Sequence, residues 1–194
     1  RKAAESIGME FWHEPTGEDV DFNLRILKNG FKLFFQPSAI VDHMHRATPQ
    51  QFFKQLWGYG YGHPLLLKKH AKNVLEFYFN YFGGFGISIP FFMPGIIYIG
   101  DFLLMHLFFF ATIITAGIIF FAGGLTALLG AKITLIVLAA LWLFFTLKFF
   151  FPVFKMKPFH KLFVYMWIHY MSKWNFIKGG IVGMKKFGAI NIEG

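Results

Sequence analysis

The apolar stretch FLLMHLFFFATIITAGIIFFA (residues 102–122) contains no Asp, Glu, Lys or Arg. As an α-helix, which rises about 1.5 Å per residue, it would cover roughly 30 Å, the thickness of a bilayer core. Residues 133–154 form a second apolar stretch, and Lys148 near its end has a side chain long enough to reach the headgroup region. The sequence therefore predicts a hairpin of two transmembrane helices over residues 99–154.

The composition of the whole chain agrees with a membrane protein. Of the 194 residues, 56% are hydrophobic and only 15% are charged, whereas charged residues make up about a quarter of a typical soluble domain. The formal net charge is +9, and lysines flank the apolar stretches. This pattern favours anionic membrane lipids over nucleic acid as the partner. The chain has no Cys, which excludes disulfides, thiolate metal sites and a cysteine nucleophile.

The distribution of basic residues predicts the topology. Lys and Arg are dense on both outer flanks of the hairpin, and only Lys132 lies in the loop between its helices. The positive-inside rule then predicts a multi-pass protein of the cytoplasmic membrane with both termini in the cytoplasm. Residues 155–194 mix aromatic residues with lysines, which is typical of an amphipathic helix lying on the cytoplasmic side of the interface.

Residues 1–47 have the pattern of a small α/β segment. In TGED (residues 16–19) the Thr and the Asp have the spacing of a capping box, and apolar residues then recur at i, i+4 and i+7, which predicts a helix over residues 17–28. FKLFFQP (residues 31–37) and AIVDH (residues 39–43) have the composition of two short strands.

Residues 48–98 are predicted to form amphipathic and interfacial helices. Thr48 as N-cap and Pro49 as the first helical residue predict a helix, which the following glycines would end near residue 60. Pro64 would open another helix. Residues 77–99 are apolar but interrupted by Gly and Pro, which predicts an interfacial or re-entrant segment.

The carboxylates at the start of the first predicted helix are candidates for chemistry. Glu18, Asp19 and Asp21 lie within four residues. Asp19 is placed to cap the helix, and a carboxylate held at a helix N-terminus can also serve as a general base. Asp21 is expected to be solvated or paired with Arg25 at i+4.

Further along, three histidines and one arginine draw attention. His43 and His45 alternate on a predicted strand and could ligate a metal, although such pairs are more often structural or solvated. Arg46 could bind phosphate or pair with Asp42. His106 in the first predicted span is expected to pack between helices, without a visible partner.

The stretch QQFFKQLWGYGYG (residues 50–62) carries a stripe of aromatic side chains. The default interpretation is packing against the domain or the lipid interface. The alternative is a platform for a sugar or a lipid, because aromatic faces and amide groups suit both.

Taken in order, these features resemble a known pattern. GEDVDFNLRILKNGFKLFFQPSAIVDHMHRATPQQFFKQLWGYGYG (residues 17–62) resembles the end of the catalytic domain of membrane-associated family 2 glycosyltransferases of the GT-A type. The resemblance covers residues 1 to about 70. It implies an α/β catalytic-domain remnant, with residues 1–47 as the acceptor-side end of a GT-A-type domain, followed by a mostly α-helical membrane region with a transmembrane hairpin.

The resemblance also implies an inverting sugar transfer from a nucleotide-sugar donor to a lipid-linked or surface-glycan acceptor at the cytoplasmic face. Asp19, beside Glu18, would deprotonate the acceptor hydroxyl, and His43 would lie near the metal. Processive relatives carry Gln-x-x-Arg-Trp where this chain has Gln55-Leu-Trp-Gly-Tyr59. Here Gly58 replaces the Arg and Tyr59 replaces the Trp. The resemblance assigns these side chains to the acceptor or diphosphate side: Arg46, Gln55, Trp57 and Tyr59.

In such enzymes a divalent metal, Mg²⁺ or Mn²⁺, is held mainly by an Asp-x-Asp motif in a Rossmann-like N-terminal half. No such motif precedes Asp19. The resemblance therefore implies a C-terminal portion that is inactive without a partner, the missing N-terminal catalytic half. Two other hypotheses stay open: a non-catalytic membrane accessory or anchor subunit, and a small metal-handling membrane protein that uses His43, His45 and the acidic cluster of residues 18–21.

Overall fold

The computed structural model describes residues 2–9, 16–81, 84–121 and 129–193. A short 3₁₀ turn, Phe159–Lys161, precedes the last helix. The helices are α1 Lys2–Glu5, α2 Glu18–Lys28, α3 Pro49–His70, α4 Asp101–Phe121, α5 Leu129–Phe154 and α6 Leu162–Phe187. The strands are β1 Val74–Phe79, β2 Phe85–Pro90, β3 Gly95–Ile99 and β4 Ile190–Glu193.

The chain divides into two compact units, and strands contribute residues to both. Unit 1 consists of residues 1–76, 87–97 and 174–192, and its buried apolar residues include Ile26 and Leu75. Unit 2 consists of residues 77–86, 98–173 and 193–194. The architecture is thus a mixture of sheet and helix, with a mostly helical unit 2. Buried apolar residues of unit 2 are Phe102, Met105, Phe149 and Val153.

The four strands form one sheet in the order β2-β1-β3-β4. Three of them come from residues 74–99, so the prediction of helices for this part of residues 48–98 is wrong, while its interfacial location stays a prediction. The aromatic and β-branched side chains of VLEFYF and GIIYI favour strands over irregular backbone. Pro90 ends the edge strand β2, a place where a missing N–H is tolerated.

The predicted helix over residues 17–28 is confirmed as α2, but the capping box is wrong. Gly17 is the N-cap, with a φ of 86° that favours glycine. The Thr16 hydroxyl donates to the Gly58 carbonyl instead of capping α2. Among the described residues, the Asp19 carboxylate accepts only from the next amide in the chain, that of Val20, at 2.8 Å.

The two strands predicted over residues 31–37 and 39–43 are absent from the described part of the chain. Residues 31–47 are exposed, and the Phe34 and Phe35 side chains are 85% and 90% accessible. A strand needs a neighbour for its backbone N–H and C=O groups. No described segment offers these residues one, so the regular elements in the described part of residues 1–47 are the helices α1 and α2.

Helix α3 begins as predicted and ends much later. The Thr48 side chain caps it by accepting from the Gln51 amide at 3.3 Å. The glycines do not end the helix, and Pro64 lies inside it rather than opening another. Glycine at residue 60 is required by packing within unit 1, because an added Cβ would overlap the Phe176 carbonyl of α6.

The predicted transmembrane helices are confirmed as helices. In unit 2, α4 and α5 pack against each other, and Asp101–Phe121 and Gly130–Phe154 are each long and apolar enough to cross a membrane. Few of their side chains are buried, unlike those of a core helix in a soluble protein. These exposed apolar faces indicate membrane association. The predicted connecting loop falls largely on residues 122–128, which lie outside the described residues.

Candidate functional site

The first turn of α2 presents its carboxylates in different directions. Glu18 and Asp19 are exposed, whereas the side chain of Asp21 is completely buried. Successive helical residues are about 100° apart, so residues 19 and 21 point to roughly opposite sides of the helix. Asp19 therefore faces solvent while Asp21 faces the rest of unit 1.

Asp21 is the centre of a cluster that joins α2 to α3. Its Oδ2 accepts from Arg25 Nε at 2.9 Å, and its Oδ1 lies 2.7 Å from Lys69 Nζ and 2.7 Å from His70 Nε2. Arg25 also donates to the Ile7 carbonyl at 3.0 Å. The predicted Asp21–Arg25 pair is confirmed, while the alternative of a solvated Asp21 is wrong.

The groups around Asp21 shift the pKa of its carboxyl group. Burial raises the pKa of the carboxyl group. The hydrogen bonds from Lys69 and His70 and the charges of Lys69 and Arg25 lower it, and together they outweigh burial, so the pKa lies below its ordinary value. A carboxylate can only accept, so Nε2 of His70 carries the proton in this bond. The Nδ1 atom of His70 is buried and has no hydrogen-bond partner among the described residues.

Lys69 and His70 were not predicted as part of the site. His70 lies 49 residues from Asp21 in sequence, and no local pattern relates the two. One signal could have indicated them: α3 continues past its glycines, and three basic residues lie in its last turn. The error in the end of α3 hid this turn.

Thr16, directly before the Gly-Glu-Asp motif of residues 17–19, joins the start of α2 to α3 at a second place. Its Oγ1 donates to the Gly58 carbonyl at 2.8 Å. A Cβ added to Gly62 would overlap the Thr16 hydroxyl, and one added to Gly58 would lie 3.0 Å from the Thr16 methyl group. The glycines on this face of α3 therefore allow Thr16, directly before the Gly-Glu-Asp motif, to lie against the helix backbone.

Three of the residues predicted for the sugar-acceptor or diphosphate side of the site lie on α3. Gln55 donates to the Tyr59 hydroxyl at 2.6 Å, so the structure brings these two together. Trp57 stacks on Tyr61 with ring centroids 5.3 Å apart, on another side of the helix. The Tyr61 hydroxyl in turn accepts from Lys186 Nζ at 2.5 Å. Trp57 and Tyr59 are 36% and 43% exposed, so both ring systems are accessible to a ligand.

His43 and Arg46 lie in the exposed segment between α2 and α3. Within the described ranges, Arg46 forms no hydrogen bond or ion pair, and neither residue is joined to α2. The rings of His43 and His45 are 6.2 Å apart. In the same ranges no group of three His, Cys, Asp or Glu side chains could hold a metal ion. The described residues alone therefore do not fit a divalent metal, and His43 as a ligand stays a prediction.

Unit 2 has a polar cluster of its own. The Tyr81 hydroxyl donates to Asp101 Oδ1 at 2.6 Å, and Lys148 Nζ lies 3.1 Å from the same oxygen and 4.2 Å from the Tyr81 ring centroid. Lys148 is thus paired with Asp101, a partner that the sequence did not indicate, and its reach to the headgroups stays a prediction. Burial, followed by the hydrogen bond to Asp101 and its charge, raises the pKa of Tyr81.

His106 of α4 has the partner that sequence reasoning missed. Its Nδ1 donates to the Phe102 carbonyl at 2.8 Å, which leaves Nε2 to accept from the Tyr170 hydroxyl at 3.0 Å. The ring also packs against Phe102, with centroids 4.4 Å apart. The expected packing role is confirmed, and the polar atoms of the ring are satisfied inside unit 2.

Comparisons with known proteins agree with the resemblance. Residues 1–177 match the sequence model of the family described as "Glycosyl transferase family group 2". Over 60 residues the chain is 37% identical to the dolichyl N-acetyl-α-D-glucosaminyl phosphate 3-β-D-2,3-diacetamido-2,3-dideoxy-β-D-glucuronosyltransferase of Methanococcus voltae. The aligned part is 31% of this chain and 19% of that protein, so the chain spans about a fifth of the relative. No solved structure matches. With most of its length inside the family match, the chain belongs to glycosyl transferase family group 2.

Proposed function

We propose that the complete protein is an inverting glycosyltransferase that moves a sugar from a nucleotide-sugar donor to a lipid-linked or surface-glycan acceptor at the cytoplasmic face of the membrane. The observation that carries the proposal is the exposed carboxylate of Asp19 on the first turn of α2, in a Gly-Glu-Asp motif held against α3. Membership of the family supports the reaction class. In this proposal residues 1–47 supply the acceptor-side end of the catalytic domain.

Asp19 acts as the general base. Its carboxylate accepts the proton of the acceptor hydroxyl, and the resulting oxygen nucleophile attacks the anomeric carbon of the donor sugar. The bond from that carbon to the diphosphate breaks, and the nucleoside diphosphate leaves with the electron pair. Attack opposite the leaving group inverts the anomeric carbon. Glu18 is the second exposed carboxylate of the turn, and the positive end of the α2 dipole favours negative charge at both positions.

We assign Gln55, Trp57 and Tyr59 to the acceptor side; Gln55 and Tyr59 lie on one side of α3 and Trp57 lies on another. Exposed aromatic faces pack against the apolar face of a sugar ring, and an amide group hydrogen-bonds to its hydroxyls. Arg46 is exposed and its planar guanidinium suits a phosphate. The family resemblance implies a divalent metal for the diphosphate, but no step above depends on a metal held by the described residues.

The lipid-linked acceptor is supported by two observations. The name of the Methanococcus voltae relative specifies a sugar on dolichyl phosphate as its acceptor. In this chain two helices with exposed apolar faces follow the motif-bearing segment in sequence. A protein held at the membrane by such helices meets a lipid-linked acceptor by diffusion in two dimensions. The positive flanks of these helices support a cytoplasmic location for residues 155–194 and for the transfer itself.

The experiment compares Asp19→Asn with Glu76→Gln in the complete protein, in membranes that contain its native lipids. Glu76 is an exposed carboxylate of β1 and serves as the matched control for loss of one negative charge. The assay measures nucleoside diphosphate release from a panel of UDP- and GDP-sugars. We expect turnover to fall by about 10²- to 10⁴-fold in Asp19→Asn and to be unchanged in Glu76→Gln.

Two results would contradict this function. One is full turnover in Asp19→Asn, which would remove the base from this chain and favour a non-catalytic anchor subunit. The other is a wild-type protein that is inserted in the membrane and turns over no donor of the panel. In both cases the amount of inserted protein is measured, so that a failure of expression is not mistaken for a failure of chemistry.

A further inference from the structure

The motif that carries Asp19 is fastened to α3 on both sides of that residue. Three positions before it, Thr16 Oγ1 donates to the Gly58 carbonyl at 2.8 Å. Two positions after it, Asp21 Oδ1 lies 2.7 Å from His70 Nε2. Asp19 lies between these two contacts in sequence, and its carboxylate is exposed.

Thr16 sets how closely the motif approaches α3. It lies over Gly58 and Gly62, and a side chain at residue 62 would overlap its hydroxyl. Gly58 and Gly62 lie against Thr16, whereas a Cβ added to Gly60 would meet α6. The hydroxyl of Thr16 and the absence of a side chain at Gly62 therefore form one complementary contact.

Asp21 sets the rotation of α2 about its own axis. Its fully buried carboxylate is faced by Arg25 from α2 and by Lys69 and His70 from α3. Lys28 of α2 adds a longer bond, 3.4 Å, to the His70 carbonyl. A carboxylate with directional donors on both oxygens has a fixed orientation. Because Asp19 lies on the opposite side of the same turn, its direction is fixed as well.

We propose that Thr16 and Asp21 are positioning residues for the transfer reaction: together they fix the distance and the rotation of the first turn of α2 on α3, so that the Asp19 carboxylate is held in one place relative to the acceptor side chains of α3. This inference rests on the proposed function. Neither residue touches the acceptor, and both act through Asp19.

The first test compares Thr16→Val with Thr16→Ser in the complete protein in native lipids, with the donor that the UDP- and GDP-sugar panel identifies. Valine has the shape of threonine without the hydroxyl, and serine keeps the hydroxyl. In Thr16→Val we expect kcat to fall on the order of tenfold, since small displacements of a catalytic group are costly, while KM for the donor stays within twofold of wild type. Thr16→Ser is expected to retain most of kcat.

The second test reaches the same contact from α3. Gly62→Ala places a methyl group where the Thr16 hydroxyl lies, so we expect the same loss of kcat with little change in KM. Gly117→Ala is the matched control, because Gly117 is also inside a helix and an added Cβ there meets no atom within 4 Å. Turnover of this control is expected to be unchanged.

The outcomes separate this inference from the function on which it rests. If Asp19→Asn is inactive but Thr16→Val and Gly62→Ala keep wild-type kcat, the positioning role is overturned and the function stands. If Thr16→Val and Thr16→Ser lose the same activity in proportion to lost folded protein, the contact is merely structural and the inference is again overturned. If Asp19→Asn is active, the function itself fails, whatever Thr16 does.

Discussion

The Nε2 atom of His70 lies 2.7 Å from Oδ1 of Asp21 and joins the last turn of α3 to the first turn of α2. The side chain of His70 is 9% exposed and that of Asp21 is not exposed at all. The bond is therefore made away from water, where an unpaired partner is costly. We therefore expect the stability of unit 1 and the direction of Asp19 to depend on the same pair.

Asp21→Asn should destabilise the protein. The amide removes the negative charge that Lys69 and Arg25 face, and it changes the acceptors available to His70. We expect a loss of about 2–3 kcal/mol in the free energy of unfolding, with the lower end favoured because Lys69 is 41% exposed. Unfolding in detergent micelles, followed by tryptophan fluorescence, measures it. Asp42→Asn, an exposed carboxylate, should change the stability little, and equal losses in both variants would contradict the prediction.

The stability should depend on pH through Asp21. Its pKa is lower in the folded protein than in the unfolded chain, so its contribution is fully present above the unfolded value, about 3.9. That contribution is lost as the pH falls through the folded pKa. The midpoint of thermal unfolding should therefore fall more steeply between pH 5 and pH 2 in the wild type than in Asp21→Asn. Parallel curves for the two proteins would show that Asp21 has no such linkage.

Gly60→Ala and Gly179→Ala should each disrupt the packing of α3 on α6. A Cβ at Gly60 would overlap the Phe176 carbonyl, and one at Gly179 would overlap the Trp57 carbonyl. Backbone cannot move aside as a flexible side chain can, so we expect losses of about 1–3 kcal/mol or more in the free energy of unfolding. Thermal unfolding checks this. Gly117→Ala should be neutral or stabilising, because alanine is favoured over glycine in a helix.

Tyr81 should ionise only at unusually high pH. Burial and the bond to Asp101 raise the pKa of its hydroxyl, so its tyrosinate should be missing from the titration where exposed tyrosines ionise. The difference in absorbance at 295 nm between wild type and Tyr81→Phe isolates this group. Asp101→Asn removes the negative charge beside it and should shift its titration towards the ordinary range. An unshifted curve in that variant would assign the effect to burial alone.

The sequence predicted elements whose signals are local. The apolar runs of α4 and α5, the periodicity of α2 and the Thr48–Pro49 start of α3 each lie within their own element. The Asp21–Arg25 pair was predictable for the same reason, since i and i+4 share a helix face. Asp19 and the acceptor side chains came from the spacing of a family motif, and their roles stay predictions.

The errors came from relationships between distant residues. Glycines 58, 60 and 62 indicate a helix end by local propensity, but Thr16 and α6 lie against them and stabilise a continuous helix. The strands of residues 74–99 were hidden because Gly and Pro also mark irregular segments, and β4, the outer neighbour of β3, lies far along the chain. His70 could not be predicted as a partner of Asp21 for the same reason, since the two residues are far apart in sequence.

The close approach of α3 and α6 has a consequence for the order of synthesis. The ribosome completes α3 long before it reaches Gly179, and both apolar helices of the hairpin are made in between. Until then, the glycine face of α3 that receives Phe176 stays uncovered, so unit 1 matures only after the hairpin has left the ribosome. The packing of α3 on α6 is thus completed only after both apolar helices of the hairpin have been synthesised.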